Sequence, residues 1–208
     1  MNAKPITTLF LDIGGVLLTN GWGRAERQNA VDHFDLDAAE INERHHLTFD
    51  TYESGKLTLD EYLDRVVFYE PRSFGRATFQ SFMFAQSQAL EGALAFFKMV
   101  KAQNKLRVVA VSNEGRELNA YRIQQFRLSE LFDAFVSSSF VHLRKPDLDI
   151  FRMACDIAQA EPQEVLYMDD RLMFVQVAGT LGIHAHHYQG LENAKLHLQA
   201  LGFQLNIT

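Results

Sequence analysis

Asp12, Ser112, Asn113, Lys145, Asp169 and Asp170 are the residues whose types and positions could do chemistry together. Asp12 closes the apolar run Leu9-Phe10-Leu11 and is followed by Gly14-Gly15, where missing side chains let a backbone approach a ligand closely. Ser112-Asn113 ends a second apolar run and offers a hydroxyl, an amide and backbone N–H groups, a set suited to an anion. Arg144-Lys145-Pro146-Asp147 brings fixed positive charge to the start of a helical pattern. Asp169-Asp170 adds two carboxylates, which with Asp12 make a hard oxygen site for Mg²⁺. A carboxylate, an anion cradle, a cation and a metal site are what phosphoryl transfer requires. Alone, each piece reads as a turn, a cap or surface charge. Their shared place at the ends of apolar runs is what joins them.

Those runs must be the elements that position the chemistry. Leu9-Phe10-Leu11, the β-branched stretch at 107–111 and the run at 164–168 have the length and composition of buried strands. Leu90, Ala93, Leu94, Phe97 and Val100, and later Phe151, Ala154, Cys155 and Ala158, recur with the spacing of one helix face. Strands alternating with helices predict an α/β fold, a doubly wound, Rossmann-like parallel sheet with ligands at the carboxyl ends of its strands. The stretch from Gly21 to Gln88 breaks the rhythm, holding helical pieces and no convincing strand. Thr58-Leu59-Asp60-Glu61 reads as a capping box opening a helix, and Ser54-Gly55 as the end of the one before. A small inserted α-helical cap at 21–87, over a core of 1–20 and 88–208, is the expected organisation.

Composition bounds what the chain does. Its 208 residues, 47% hydrophobic and 22% charged, suit one globular unit with a modest insertion. A net charge of -6, from 20 basic and 26 acidic residues, speaks against nucleic acid or a membrane surface as partner. The lone Cys155 fits a reducing compartment, and neither a signal peptide nor a membrane-length apolar run is read, so a cytoplasmic protein is expected. Cys155 falls on an apolar helix stripe as a core thiol, and His184-Ala185-His186-His187, lacking a third ligand at metal spacing, as a sheet-edge or surface segment. His45-His46 lies in the insert and reads as a solvated helix face, with a substrate contact as the alternative, while Trp22 and Arg24 are the guesses for substrate contacts. Phe74, Phe79, Phe82 and Phe84 suggest a small core in the insert, an exposed subset would support dimerisation or an apolar substrate pocket, and a monomer or homodimer is expected. Asn206-Ile207-Thr208 spells a glycosylation sequon, without meaning when no secretory signal is read.

As a set, these segments resemble the haloacid dehalogenase-like hydrolase superfamily. Asp12-Ile13-Gly14-Gly15-Val16-Leu17 is similar to the nucleophile loop of that family, and Val109-Ala110-Val111-Ser112-Asn113 to its second motif. Arg144-Lys145-Pro146-Asp147 through Ile150-Phe151 is similar to its lysine motif, and Val165 to Asp170 followed by Gly179 to Ile183 to its acidic motif. The stretch Tyr52 to Thr58 resembles a turn of members with a helical cap after motif one. The resemblance implies that Asp12 attacks phosphorus and forms an aspartyl-phosphate that water hydrolyses. It implies that Mg²⁺ is held by Asp12, the Gly14 carbonyl and Asp170, with Asp169 direct or through water. Ser112 and the Asn113 backbone would bind phosphoryl oxygens, and Lys145 would neutralise charge and keep Asp12 ionised. The expected activity is hydrolysis of a small phosphorylated metabolite, such as a sugar phosphate. The alternatives are a weakly active or non-catalytic binding protein, a haloacid dehalogenase and, ranked lower, a phosphomutase.

Two positions depart from the family pattern. Gly14 stands where most phosphatases of the superfamily carry an Asp that serves as acid to the leaving group and base to the water. Some members with Asp-x-Gly loops are nonetheless regarded as phosphatases, so leaving groups that need little protonation are expected: anomeric sugar, acyl or aryl phosphates. Glu114 and Asp169 are candidate substitute bases. Phe174 stands where the family usually has Asn or Asp supporting the acidic loop.

Overall fold

The computed structural model describes residues 4–205, so the Asn206 sequon lies outside the described residues. Strand β1 (Thr8–Leu11) leads into four helices, α1 (Arg24–Phe34), α2 (Ala38–Glu53), α3 (Leu59–Val66) and α4 (Arg76–Ala85). Then follow α5 (Ala93–Asn104), β2 (Arg107–Ser112), α6 (Arg116–Gln125), β3 (Ala134–Ser137), α7 (Ser138–Val141) and α8 (Leu148–Ala158). The chain ends with β4 (Val165–Asp169), α9 (Leu172–Gly179), β5 (His184–His187) and α10 (Leu191–Ala200). The five strands form one parallel sheet in the order β3-β2-β1-β4-β5. The three strands read from sequence are its centre. The other two are four-residue edge strands, one of them the polar His184-Ala185-His186-His187, too short and too mixed to register as buried runs.

Parallel pairing buries both faces of the sheet. Leu9 and Leu11 point to one side, into a cluster with Phe97 and Val100 of α5 and Leu198 of α10. Phe10 points to the other, against Ile150, Phe151 and Ala154 of α8 and Ala178 of α9. Cys155 is buried there, as its helix stripe implied, and burial pushes its thiol up to about 11. Removing such a side chain costs about 2–5 kcal/mol for Leu to Ala, so the centre of the sheet is a stiff platform.

The helices α1–α4 share a third cluster, in which Tyr62, Leu63, Val66, Phe79 and Met83 are buried and Phe74, Phe82 and Phe84 pack against them. The capping box is present: the Thr58 hydroxyl accepts from the Glu61 N–H at 3.2 Å, and the Glu61 carboxylate accepts from the Thr58 N–H at 2.8 Å. Helix α2 ends at Ser54, and Gly55 takes the left-handed conformation at φ 68°. A Cβ on Gly55 would lie 2.3 Å from the Ser139 carbonyl oxygen, so glycine there lets the insert sit directly on α7.

Candidate active site

The order of the strands reverses between β1 and β4, and in open α/β sheets that is where ligands bind. Asp12 follows β1, and its N–H donates to the Met168 carbonyl of β4 at 3.1 Å, which brings Asp12 beside Asp169 and Asp170. The three carboxylates each bring an oxygen within 4.8 Å of the others. Gly15, at φ 72°, is what makes room: a Cβ there would come 2.4 Å from the Asp170 carboxylate.

Lys145 is fully buried among these groups. Its Nζ lies 3.1 Å from Asp12 Oδ2 and 2.6 Å from Asp169 Oδ2, and donates to the Val111 carbonyl at 2.9 Å. Its loop is fixed by Asn113, whose amide accepts from the Lys145 N–H and donates to the Lys145 carbonyl, both at 2.8 Å. Asp169 is fully used: Oδ2 also accepts from the Tyr167 hydroxyl, and Oδ1 accepts from the Arg171 N–H at 2.7 Å. Two rings face the ammonium, Phe174 at 5.2 Å and Tyr167 at 5.8 Å from centroid to Nζ. Where the family carries a polar residue, Phe174 therefore gives Lys145 an aromatic face.

Electrostatics follow from this crowding. Burial pushes the Asp12 carboxyl up to about 7, with Asp169 adding to the push and Lys145 opposing it. Asp170 is likewise raised by burial. Asp169 is buried too, but Lys145, Tyr167 and the Arg171 N–H hold it below the usual carboxylate range. Lys145 sits above its ordinary value because the two carboxylates outweigh its desolvation. Two carboxylates raised by burial beside a single ammonium are a site short of positive charge, and Mg²⁺ fits that donor set. The Ser112 hydroxyl, buried beside Asp12 and Glu114, makes no hydrogen bond of good geometry among the described residues and is left over for a ligand.

A cavity of about 650 Å³ opens above these groups, with Asp12, Gly14, Ser112, Asn113, Lys145 and Asp170 on its floor. The helical insert supplies the facing wall: Trp22 from the chain leading into α1, and His45, Phe49, Tyr52 and Glu53 from α2. Trp22 thus lies where a substrate contact was expected, whereas Arg24 does not line the cavity. Expectation is also corrected at His45: it lines the cavity, and only His46 is left on the exposed face. His187 also reaches the rim, its Nε2 3.0 Å from the Asp170 carbonyl oxygen. Glu114 also lines the cavity; its Oε1 is in a buried ion pair with Arg122, which also donates to the Thr19 carbonyl at 2.5 Å, while its Oε2 makes no hydrogen bond of good geometry among the described residues.

Sequence reading overlooked Tyr167 and the α2 wall, and both left a signal. Tyr167 precedes Asp169 by two, the strand period that puts both on one face. Residues 45, 49, 52 and 53 follow the spacing of one helix face.

Comparison with known proteins agrees with the fold. The sequence model of the haloacid dehalogenase-like hydrolases matches residues 6–182. The chain belongs to the haloacid dehalogenase-like hydrolase family. Its fold is similar to that of a HAD family enzyme from Bacteroides thetaiotaomicron, at TM-score 0.79 and 21% identity over 93% of this chain and 99% of that one. The same enzyme has been solved with magnesium and inorganic phosphate, and that structure aligns at TM-score 0.72 and 22% identity, over 87% of this chain and 93% of that one. The L-2-haloacid dehalogenase PA0810 is also similar, at TM-score 0.65 and 16% identity over 95% and 99% of the two chains. Among curated proteins, mouse acyl-CoA dehydrogenase family member 10 is 35% identical over 77 residues. That match takes in 36% of this chain and only 7% of the relative's length. Among the described residues, no helix is long and apolar enough to cross a membrane.

Proposed function

We propose that this hydrolase is a Mg²⁺-dependent phosphatase of a small phosphorylated metabolite, with residues 21–87 as a cap over a core of 1–20 and 88–208. The observation that carries the reading is the convergence of Asp12, Asp169 and Asp170 within 4.8 Å, two of them raised by burial. A dehalogenase attacking carbon through Asp12 has no use for the extra carboxylates Asp169 and Asp170, because its reaction needs no metal. Asp12 and Asp170, with the Gly14 carbonyl, would hold Mg²⁺, and Asp169 would stand behind them, keeping Lys145 in place. When bound, the ion supplies positive charge that offsets repulsion between a carboxylate nucleophile and a phosphate.

The chain's own groups do the rest. The Asp12 carboxylate forms the new bond to phosphorus as the bond to the leaving oxygen breaks, giving an aspartyl-phosphate that water then hydrolyses. Lys145, fixed by Asp169 and the Val111 carbonyl, keeps its charge beside Asp12 throughout. The Ser112 hydroxyl and the Asn113 N–H hold phosphoryl oxygens, while the Asn113 amide stays occupied with the Lys145 loop. No carboxylate stands at position 14 to protonate the leaving group, which favours anomeric sugar, acyl and aryl phosphates. The buried Cys155 and the net charge of -6 support a cytoplasmic monomer or homodimer that works away from nucleic acid and membranes.

The test is a screen of sugar, acyl, aryl and alkyl phosphates with Mg²⁺, run beside Asp12→Asn and with chelator. Turnover lost in both controls supports the reading, and faster turnover of alkyl phosphates than of sugar 1-phosphates sinks the leaving-group part. Structural likeness to an L-2-haloacid dehalogenase favours one second reading, for which halide release from a 2-haloacid without metal is the readout. Phosphate binding with no turnover of any ester would instead mark a binding protein.

A further inference from the structure

The wall of the cavity contains a relay of hydrogen bonds that fixes one proton. Trp22 Nε1 donates to Tyr62 Oη at 2.9 Å, and Tyr62 Oη lies 2.7 Å from His45 Nδ1. An indole N–H can only donate, so the Tyr62 oxygen accepts there. Tyr62 is fully buried, and its own proton has His45 Nδ1 as its remaining partner among the described residues. Nδ1 therefore accepts, and the ring proton of His45 sits on Nε2. The ring is held flat on Phe49, with centroids 5.1 Å apart and planes at 20°, and Tyr62 is held on Tyr52 at 4.6 Å and 22°. Its Nε2 has no assigned protein partner among the described residues, and His45 lines the same cavity as Asp12.

We propose that His45 is a specificity-determining hydrogen-bond donor, locked as the Nε2–H tautomer by Trp22 and Tyr62, which selects leaving groups that carry an acceptor oxygen. The inference rests on the phosphatase reading above and names its substrate class: a hydroxylated leaving group, such as a sugar, rather than a bare aryl or alkyl one. The donor is neutral. Burial pushes the imidazolium down to about 3, with Arg27 of α1 and His46 of its own helix adding to the effect, so His45 offers a hydrogen bond and not a proton. At the other end of the wall, Glu53 is tied to Arg144 through Oε2 at 2.6 Å, leaving Oε1 as an acceptor for a second hydroxyl. Between the two, Phe49 and Tyr52 present flat apolar faces, a surface on which the C–H face of a sugar ring packs. A site that hydrogen-bonds a substrate oxygen discriminates against an analogue lacking it, because the site group is then left unpaired.

Two measurements on the full chain test this. Ring ¹⁵N NMR, with His45 assigned by its loss in His45→Gln, should show a neutral Nε2–H imidazole that does not titrate between about pH 5 and 8, and Tyr62→Phe should release the lock, giving a mixture of the Nδ1–H and Nε2–H tautomers. With Mg²⁺, the ratio of kcat/KM for a hexose 1-phosphate over p-nitrophenyl phosphate should fall at least about tenfold in His45→Phe, mainly through KM. His45→Gln, whose amide can accept from Tyr62 and donate to substrate, should recover most of that ratio. If His45→Phe fails to fold, Tyr62→Phe takes its place, and its ratio should fall too, because nothing then enforces the Nε2–H tautomer. An unchanged ratio with turnover intact, a titrating wild-type His45 or the opposite tautomer overturns this inference alone. A wild type that hydrolyses neither ester takes down the phosphatase reading and this inference together.

Discussion

On the floor of the cavity, Lys145 is held by two carboxylates and a carbonyl, all at strand ends and all buried. On the wall, Trp22 and His45 meet Tyr62 in one relay of neutral hydrogen bonds, Tyr52 stacks on Tyr62, and Phe49 stacks on His45. The two surfaces share a cavity and differ in how they tolerate change. Removing the one ammonium of the floor, Lys145, strands two carboxylates away from water, where solvation cannot compensate them. A ring altered on the wall loses packing and at most one hydrogen bond. The proposed reaction chemistry thus sits where substitution is costly, and the proposed substrate selection where it is cheaper.

The largest expected effect is on the floor. Asp12→Asn should lower Mg²⁺-dependent hydrolysis of p-nitrophenyl phosphate by at least about a thousandfold while leaving the melting temperature unchanged or higher, since burial already disfavours charge at this position. Lys145→Met leaves Asp12 and Asp169 without their cation and should cost about 3–5 kcal/mol in urea unfolding. A loss below about 1 kcal/mol would erase the contrast between floor and wall. Tyr167→Phe removes one hydrogen bond to an ionised carboxylate and should cost about 1.5–3 kcal/mol by the same measurement.

Gly115→Ala tests the wall, because a Cβ there would come 2.0 Å from Cζ of Tyr52. The expected cost is about 1–3 kcal/mol, against less than about 0.5 for Gly75→Ala, where nothing lies within 4 Å.

The smallest effect is in pH dependence. His45 ionises near 3 when folded and near its ordinary value of 6.5 when unfolded, so the unfolded chain takes up a proton that the fold refuses. The contribution of the neutral ring is complete above about 6.5 and shrinks as pH falls toward 3. The stability difference between wild type and His45→Gln, followed by urea midpoints, should therefore move in favour of the variant between about pH 7.5 and 5. A difference that stays constant would mean that the ring is not held neutral.

The floor was legible in the sequence because strand ends are marked twice, by an apolar run and by the polar residue that stops it. Asp12, Ser112 and Asp169 stand at such ends, and Asn113, Lys145 and Asp170 at loops whose residue types are unusual enough to notice. Tyr167 was hidden by its own aptness for a buried strand, since only the neighbouring Asp169 gives its hydroxyl a task. The wall was harder. A helix face shows in the spacing of α2, but which face meets the cavity depends on α3, whose Tyr62 draws His45 inward from a position that reads as solvated. The pair of Glu114 and Arg122 joins residues from a strand-end loop and a helix, and nothing in their spacing announces an ion pair buried from water. Strands β3 and β5, short and at the edges, bury too little surface to leave an apolar run.

The last turn of α2 is fastened to the core by Ser138 donating to the Glu53 carbonyl at 2.7 Å, His142 at 2.8 Å from the Ser54 carbonyl, and Arg144 at 2.6 Å from both Asp50 and Glu53. Its other half is fastened instead to α3, by Arg44 donating to the Arg65 carbonyl at 3.1 Å and by His45 standing 2.7 Å from Tyr62 Oη. Helix α2 is thus a beam seated at one end on the core and at the other on the rest of the insert, and the cavity wall is the span between.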